Sequence, residues 1–170
     1  MISQDEAINL TLQQTFDWGA ERLPLSDCFG RILAEEVIAD RPQPPFDRVT
    51  MDGICINFAT YAKGQRFFPI EKLQAAGDAP TPIQDPTKCI EIMTGAALPG
   101  GVSTVIRYED LTQEGNGFRL PDGILDRKNI HFSGSDLAAE GAVLLPIGTE
   151  IKTGALGMMA TFGYATSLVK

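Results

Sequence analysis

One histidine, one tryptophan and three cysteines in 170 residues leave little material for several common chemistries. Cys28, Cys55 and Cys89 lie far apart in the chain. Such an odd, scattered set makes neither a disulfide framework nor a Cys-x-x-Cys metal knuckle, and the three read as buried thiols. His131 has no Asp or Ser at a telling spacing, so no catalytic triad is supported and a satisfied structural histidine is expected. Long apolar runs are also missing. The stretch from Gly154 to Gly163 is interrupted and falls far short of the ~20 residues that a membrane-spanning helix needs. The first residues are acidic where a secretory signal carries Lys or Arg, which gives the expectation of a cytoplasmic protein with no membrane partner. Basic charge is in deficit as well, with a net charge of -8 and a pI near 4.6. Long-range electrostatics therefore repel nucleic acid, and an anionic substrate needs a local basic pocket.

What the chain does have is enough apolar material, 44% of its residues, to build the core of one or two small domains. Ser3 and Glu6 have the spacing of a capping box, and Ala7, Ile8, Leu10 and Leu12 follow at helical spacing, which predicts a helix from about residue 4 to 16. Leu23 to Ser26 reads as extended, with Ser26 a second cap candidate and Gly30 a stop. Arg31 to Ala39 is ambiguous, although its β-branched end favours strand. Near the other end, Thr153 is expected to cap a helix through Phe162, with Gly163 as the turn residue and Tyr164 to Val169 as a closing strand.

Three prolines between Arg41 and Phe46 exclude helix and central strand there, and mark a boundary. Beyond it come short apolar runs punctuated by Gly, Pro and Asp: Gly53 to Phe58, Arg66 to Ile70, Lys88 to Met93, Thr104 to Tyr108, Gly117 to Leu120 and Asn129 to Phe132. Strands at that spacing predict a compact β barrel or sandwich.

Among residues able to carry chemistry, Asp52 stands between the stiff linker and a glycine. A carboxylate on such a turn can coordinate a hard cation or orient water; it can equally bond its own backbone. Thr94, at the end of an alternating strand and before Gly95, can offer a hydroxyl to an oxyanion or make a structural turn bond. Glu109 and Asp110 form an acidic pair at a strand end, and Gly95, Gly100 and Gly101 fit no phosphate-loop spacing.

Taken in order, several segments resemble the N-terminal region of the molybdopterin molybdenumtransferases, the family that also includes the C-terminal domain of gephyrin. They are Gly30-Arg31-Ile32-Leu33-Ala34, Pro44-Pro45-Phe46-Asp47, Met51-Asp52-Gly53, Ile92-Met93-Thr94-Gly95-Ala96 with Leu98-Pro99, Glu109-Asp110, Gly134-x-Asp136, and Leu145-Pro146-x-Gly148-Thr149. The resemblance implies an α+β fold, elongated, in which a β-rich barrel-like domain (46–137) is inserted into a small mixed α/β domain made of 1–45 and 138–170. It implies insertion of molybdate into adenylylated molybdopterin with release of AMP, under a divalent cation such as Mg2+, by a homodimer. Carried onto this chain, it gives Asp52, Thr94 and Asp136 as catalytic residues, Asp52 and Asp136 as metal ligands, and Asp47, Met51, Gly95 and Glu109 as substrate-binding residues.

Departures from the family pattern surround those positions. Arg48-Val49-Thr50 stands where the family has Asn-Ser-Ala, Ile54-Cys55 where it has Tyr-Ala, and His131-Phe132-Ser133 where it has a run of arginines. Lost guanidinium groups remove bidentate donors to an anion. Arg48, Arg107 and Lys128 are the cations available to replace them. Two readings follow: the first two domains of a molybdenumtransferase, inactive without the pterin-binding domain expected beyond Lys170, or a non-catalytic scaffold or dimerisation module of a divergent homologue.

Overall fold

A computed structural model describes residues 2–14, 16–137 and 140–170. In chain order its elements are α1 (Gln4–Leu12), β1 (Glu21–Pro24), β2 (Val37–Ile38), β3 (Arg48–Val49), β4 (Gly53–Ile56), α2 (Phe58–Ala62), β5 (Phe67–Gln74), β6 (Cys89–Ile92), β7 (Thr104–Arg107), β8 (Thr112–Glu114), β9 (Gly117–Arg119), β10 (Ile130–His131), β11 (Val143–Leu145), α3 (Thr153–Thr161) and β12 (Thr166–Val169). The chain divides into two compact units, Met1–Asp40 with Glu140–Lys170, and Arg41–Ala139. The fold class is α+β, with few helices and a six-stranded sheet curled into a half-barrel. No helix of the described residues is long and apolar enough to cross a membrane.

In the first unit the capping box forms as expected: the Ser3 hydroxyl accepts from the Glu6 amide and the Glu6 carboxylate accepts from the Ser3 amide. The helix it starts ends at Leu12, short of the expected residue 16, and none of its residues is buried. A helix gains most of its stability from packing its apolar face, and here Ile8, Leu10 and Leu12 stay exposed. Strands β1 and β12 pair antiparallel, as do β2 and β11, and Leu33, Val37, Ile151, Met159 and Val169 close the core between them and α3. Two expected caps are corrected. Ser26 lies inside a one-turn 3-10 helix and bonds the Asp27 carboxylate, while Thr153 is the first helical residue, after a Lys152 cap that makes no side-chain bond.

The second unit carries the half-barrel, in the order β7-β4-β6-β5-β9-β8. Strands β5 and β6 are parallel and the other neighbours antiparallel. Both faces are covered, which is why Ile54-Cys55-Ile56 is continuously apolar rather than alternating. Ile54 and Ile56 join Phe68, Cys89, Ile106 and Phe118 on one face; Cys55 joins Val49, Ile90, Ile92 and Val105 on the other. Two strand ends differ from the expectation. The strand expected to reach Phe58 stops at Ile56, because the Asn57 side chain accepts from the Thr60 amide and starts α2. The run from Arg66 continues to Gln74, and the all-polar β8 closes a hairpin with β9 across Gly115-Asn116. All three cysteines are buried free thiols, and burial pushes Cys55 and Cys89 up to about 12.

The centre of the sheet depends on Gly53. It faces Ile92 on one side and Arg107 on the other, and a Cβ there would lie 1.9 Å from the Ile106 carbonyl oxygen. No side chain fits unless β4 and β7 separate. Gly53→Ala is therefore expected to destabilise the chain by about 3 kcal/mol or more in urea unfolding. Gly154→Ala, near the start of α3 with open space around its Cβ, is expected to be neutral or stabilising by up to ~1 kcal/mol. Equal effects of the two changes would contradict the close approach of β4 and β7.

Candidate functional site

The seven candidate residues gather around a single strap, residues 43–53, which runs from the proline-rich linker into β4. The strap is bonded along both sides. On one flank the turn after β6 docks onto it: the Gly95 amide donates to the Val49 carbonyl, the Val49 amide to the Ala96 carbonyl, and the Leu98 amide to the Asp47 carbonyl, each at 2.9 Å. On the other flank lie β10 and the segment after it. The Thr50 amide donates to the Asn129 carbonyl, Arg48 and Val49 pair with His131 and Ile130, and the Gly134 and Asp136 amides donate to the Pro44 and Gln43 carbonyls.

Asp52 ends the strap, exposed, with Oδ1 accepting from the Thr94 amide at 2.6 Å. That amide first, and the Thr94 side chain second, hold the Asp52 carboxyl below the usual range, so it is a carboxylate at neutral pH. The Asp52 carbonyl accepts from the Tyr108 amide, which ties in the one-turn helix carrying Glu109; Glu109 itself is exposed. Met51 is also exposed, at 42%. Gly95 has φ of +89°, the left-handed conformation that lets the chain reverse immediately after Thr94. Asp47 caps the other flank by accepting from the Ser133 amide at 2.8 Å.

Asp136 takes its contact farther along the strap. Its Oδ1 lies 2.9 Å from His131 Nε2, and His131 Nδ1 lies 3.2 Å from Arg48 Nη2. Asp52 is thus brought onto Thr94 and Asp136 onto His131, with no bond between the two carboxylates. Among the described residues no three His, Cys, Asp or Glu side chains are grouped to hold a metal ion. The donor set suits a cation of the Mg2+ type, which takes one or two carboxylates and completes its shell with water and substrate phosphate. It does not suit an all-protein cage.

Two contributors escape a reading of the sequence. His131 does have an acidic partner, Asp136 five residues on, reached because the segment after β10 folds back; with Arg48 on its other nitrogen it still has no nucleophile, so it forms no triad. Gln74 is 3% exposed, and its Nε2 donates to the Ala97 carbonyl at 2.6 Å, bracing the Thr94–Ala97 turn from beneath. An amide at the end of a long strand is invisible in the sequence; the strand's unexpected extension past Ile70 is the only hint.

The description "MoeA N-terminal region (domain I and II)" belongs to a family model that matches residues 2–163. A molybdopterin molybdenumtransferase of Synechocystis is 33% identical over all of this chain and 44% of its own length. One from Bacillus subtilis is 34% identical over 97% of this chain and 40% of its own length. The chain thus spans less than half the length of these curated relatives. A crystal structure titled as a molybdopterin biosynthesis moeA protein from Pyrococcus horikoshii OT3 superposes with a TM-score of 0.89 at 27% identity, covering 100% of this chain and 46% of that one.

The Asp52–Thr94 contact makes a prediction about titration. A carboxyl whose folded pKa is depressed stabilises the fold above its unfolded pKa, and that contribution is lost as pH falls through the folded value. Followed by carbon-detected NMR, Asp52 is expected to titrate with a midpoint below the ~3.9 of an unperturbed aspartate. Thr94→Ala, which keeps the amide and removes the hydroxyl, is expected to move the midpoint up only part of the way. A wild-type midpoint at or above the unperturbed value would mean that the bond to the Thr94 amide does not form in solution.

Proposed function

The chain belongs to the family of MoeA N-terminal regions, comprising domains I and II, and from that premise we propose that it acts in molybdenum cofactor biosynthesis as those domains of a molybdopterin molybdenumtransferase. The substrates of this reading are molybdate and adenylylated molybdopterin, with AMP as the product. The observation that carries it is the pairing of Asp52 with Thr94: an ionised, exposed carboxylate fixed against the amide of a glycine turn, at the end of a strap braced on both sides.

In this reading the residues divide the work. One Asp52 oxygen is committed to the Thr94 amide, and the second is left for a Mg2+ that also meets substrate phosphate. When bound, Mg2+ would neutralise charge on the phosphate oxygens. The backbone reverses at Gly95 directly after Thr94, and Glu109 and Met51 border the same turn. Asp136 would steady the opposite end of the strap through His131. Because the relatives are more than twice as long, the 170 residues alone are expected not to insert molybdenum.

A homodimer is part of the proposal. The exposure of Ile8 and Leu10 on α1 favours it, since large apolar side chains on a helix surface are candidates for burial against a second copy. Sedimentation velocity that gives only monomer at high concentration would remove the dimer from the reading.

The activity test is Asp52→Ala in the full-length protein, assayed by molybdenum insertion. The expected outcome is a loss of at least ~100-fold with the fold and assembly unchanged. Unchanged insertion would remove Asp52 from the mechanism and favour the scaffold reading.

A further inference from the structure

We propose that Arg48, held in place by His131, is a binding site for a tetrahedral oxyanion of the phosphate class. The proposal deepens the reading of the strap as the substrate-facing part of this chain, and rests on that reading for its biological meaning but not for its test.

The argument begins with how the chain uses its cations. With a net charge of -8, acids outnumber bases, and most arginines are spent on them. Arg22 closes on Glu35, Arg31 on Glu21, Arg66 on Asp122, Arg107 on Asp110 and Arg119 on Glu114. A guanidinium neutralised in this way has little attraction left for a ligand. Two are different: the Arg127 guanidinium lies over the Phe132 ring at 4.2 Å, and the side-chain partner of Arg48 is the ring of His131, with no carboxylate meeting it among the described residues.

The His131 ring stands between two groups: its Nδ1 lies 3.2 Å from Arg48 Nη2 and its Nε2 lies 2.9 Å from Asp136 Oδ1. It orients Arg48 and separates the guanidinium from the Asp136 carboxylate. Register enforces the arrangement, because Arg48 and His131 are direct cross-strand partners in the β3–β10 pair and project from the same face. On the opposite face Val49 and Ile130 pack into the core and anchor the pair.

An exposed arginine with one donor used for positioning and four left over matches the oxygens of phosphate or a metal oxoanion, the ligands for which fork geometry is best suited. Preorganisation by the ring lowers the side-chain entropy lost on binding. Arg48 stands four residues before Asp52 on the same strap.

The test is an amide NMR titration of the 170-residue chain with sodium phosphate and, separately, sodium molybdate, against sodium chloride at matched ionic strength. Saturable shifts at Arg48 and at residues 129–136, absent with chloride, are expected with at least one of the two oxyanions. Whichever anion saturates identifies the source: phosphate alone points to the phosphate groups of a substrate, and molybdate alone to the metal oxoanion. Arg48→Gln is expected to weaken the saturating anion by about tenfold or more, the loss of one charge-assisted contact. His131→Phe should weaken it less, and His131→Gln, whose amide oxygen can still accept from the guanidinium, should recover part of that loss. Arg119→Gln, at a paired arginine, should change nothing. Shifts that match those with chloride, or that persist in Arg48→Gln with preserved spectral dispersion, would overturn the proposal. A failed titration alongside a large Asp52→Ala effect on insertion would sink this site alone and leave the functional reading standing.

Discussion

The second unit depends on one constraint, that residues 43–53 must satisfy backbone partners on two sides at once. Pro44 and Pro45 remove two amides from this segment, and three of those that remain are matched outside it: Gln43 to Leu137, Val49 to Ala96, Thr50 to Asn129. The carbonyls it presents are taken by Gly95, Leu98, Gly134 and Asp136. An extended strap so bonded cannot slide by one residue, because a slip would turn Val49 out of the core and Arg48 into it. Register therefore decides which side chains face solvent, and with them the positions of Asp47, Arg48 and Asp52. The strap ends where β4 passes too close to β7 for any side chain but hydrogen, so the glycine after Asp52 sets how deep the carboxylate sits.

Much of this was legible in the sequence where local rules and burial agree. The Ser3–Glu6 capping box and the strand cores from Gly53 to Ile56 and Cys89 to Ile92 follow directly from spacing and composition. The errors fall where one local signal opposes another. Phe58 extends an apolar run, but Asn57 is a better helix start than a strand residue, and the cap wins. Thr153 has the cap's residue type, yet the helix begins on it with Lys152 outside. Length of α1 was overestimated because periodicity carries no information about whether a partner surface exists. The site was legible as a set of candidates, since Asp52, Thr94 and Gly95 lie on turns where chemistry is concentrated. Its wiring was not, because His131 meets Asp136 and Arg48 only through a reversal and a cross-strand register.

Electrostatics gives the strap its polarity. Its end carries Asp52, stabilised as an anion by the Thr94 amide; its middle carries Arg48, set against the His131 ring rather than a carboxylate. In a chain so acidic, the cheapest fate for an arginine is a carboxylate partner, and five arginines have taken it. Interposing an imidazole costs the stability of a direct ion pair, though a surface pair is worth only ~0–1 kcal/mol, so the sacrifice is small. What it retains is an unneutralised donor fork at a fixed position.

Gln74 extends the same logic to the interior. Its Nε2 supports the Ala97 carbonyl while its Oε1 is buried with no hydrogen-bond partner among the described residues. An apolar side chain of similar size would avoid the desolvation of that oxygen, a penalty of about 1–3 kcal/mol. Yet only a donor at this depth can hold the carbonyl side of the turn, whose amide side faces the strap through Gly95 and Asp52 through Thr94. The turn is thus gripped from below by a side chain and from above by a carboxylate. Its geometry, rather than the stability of the sheet beneath it, is what the buried amide serves.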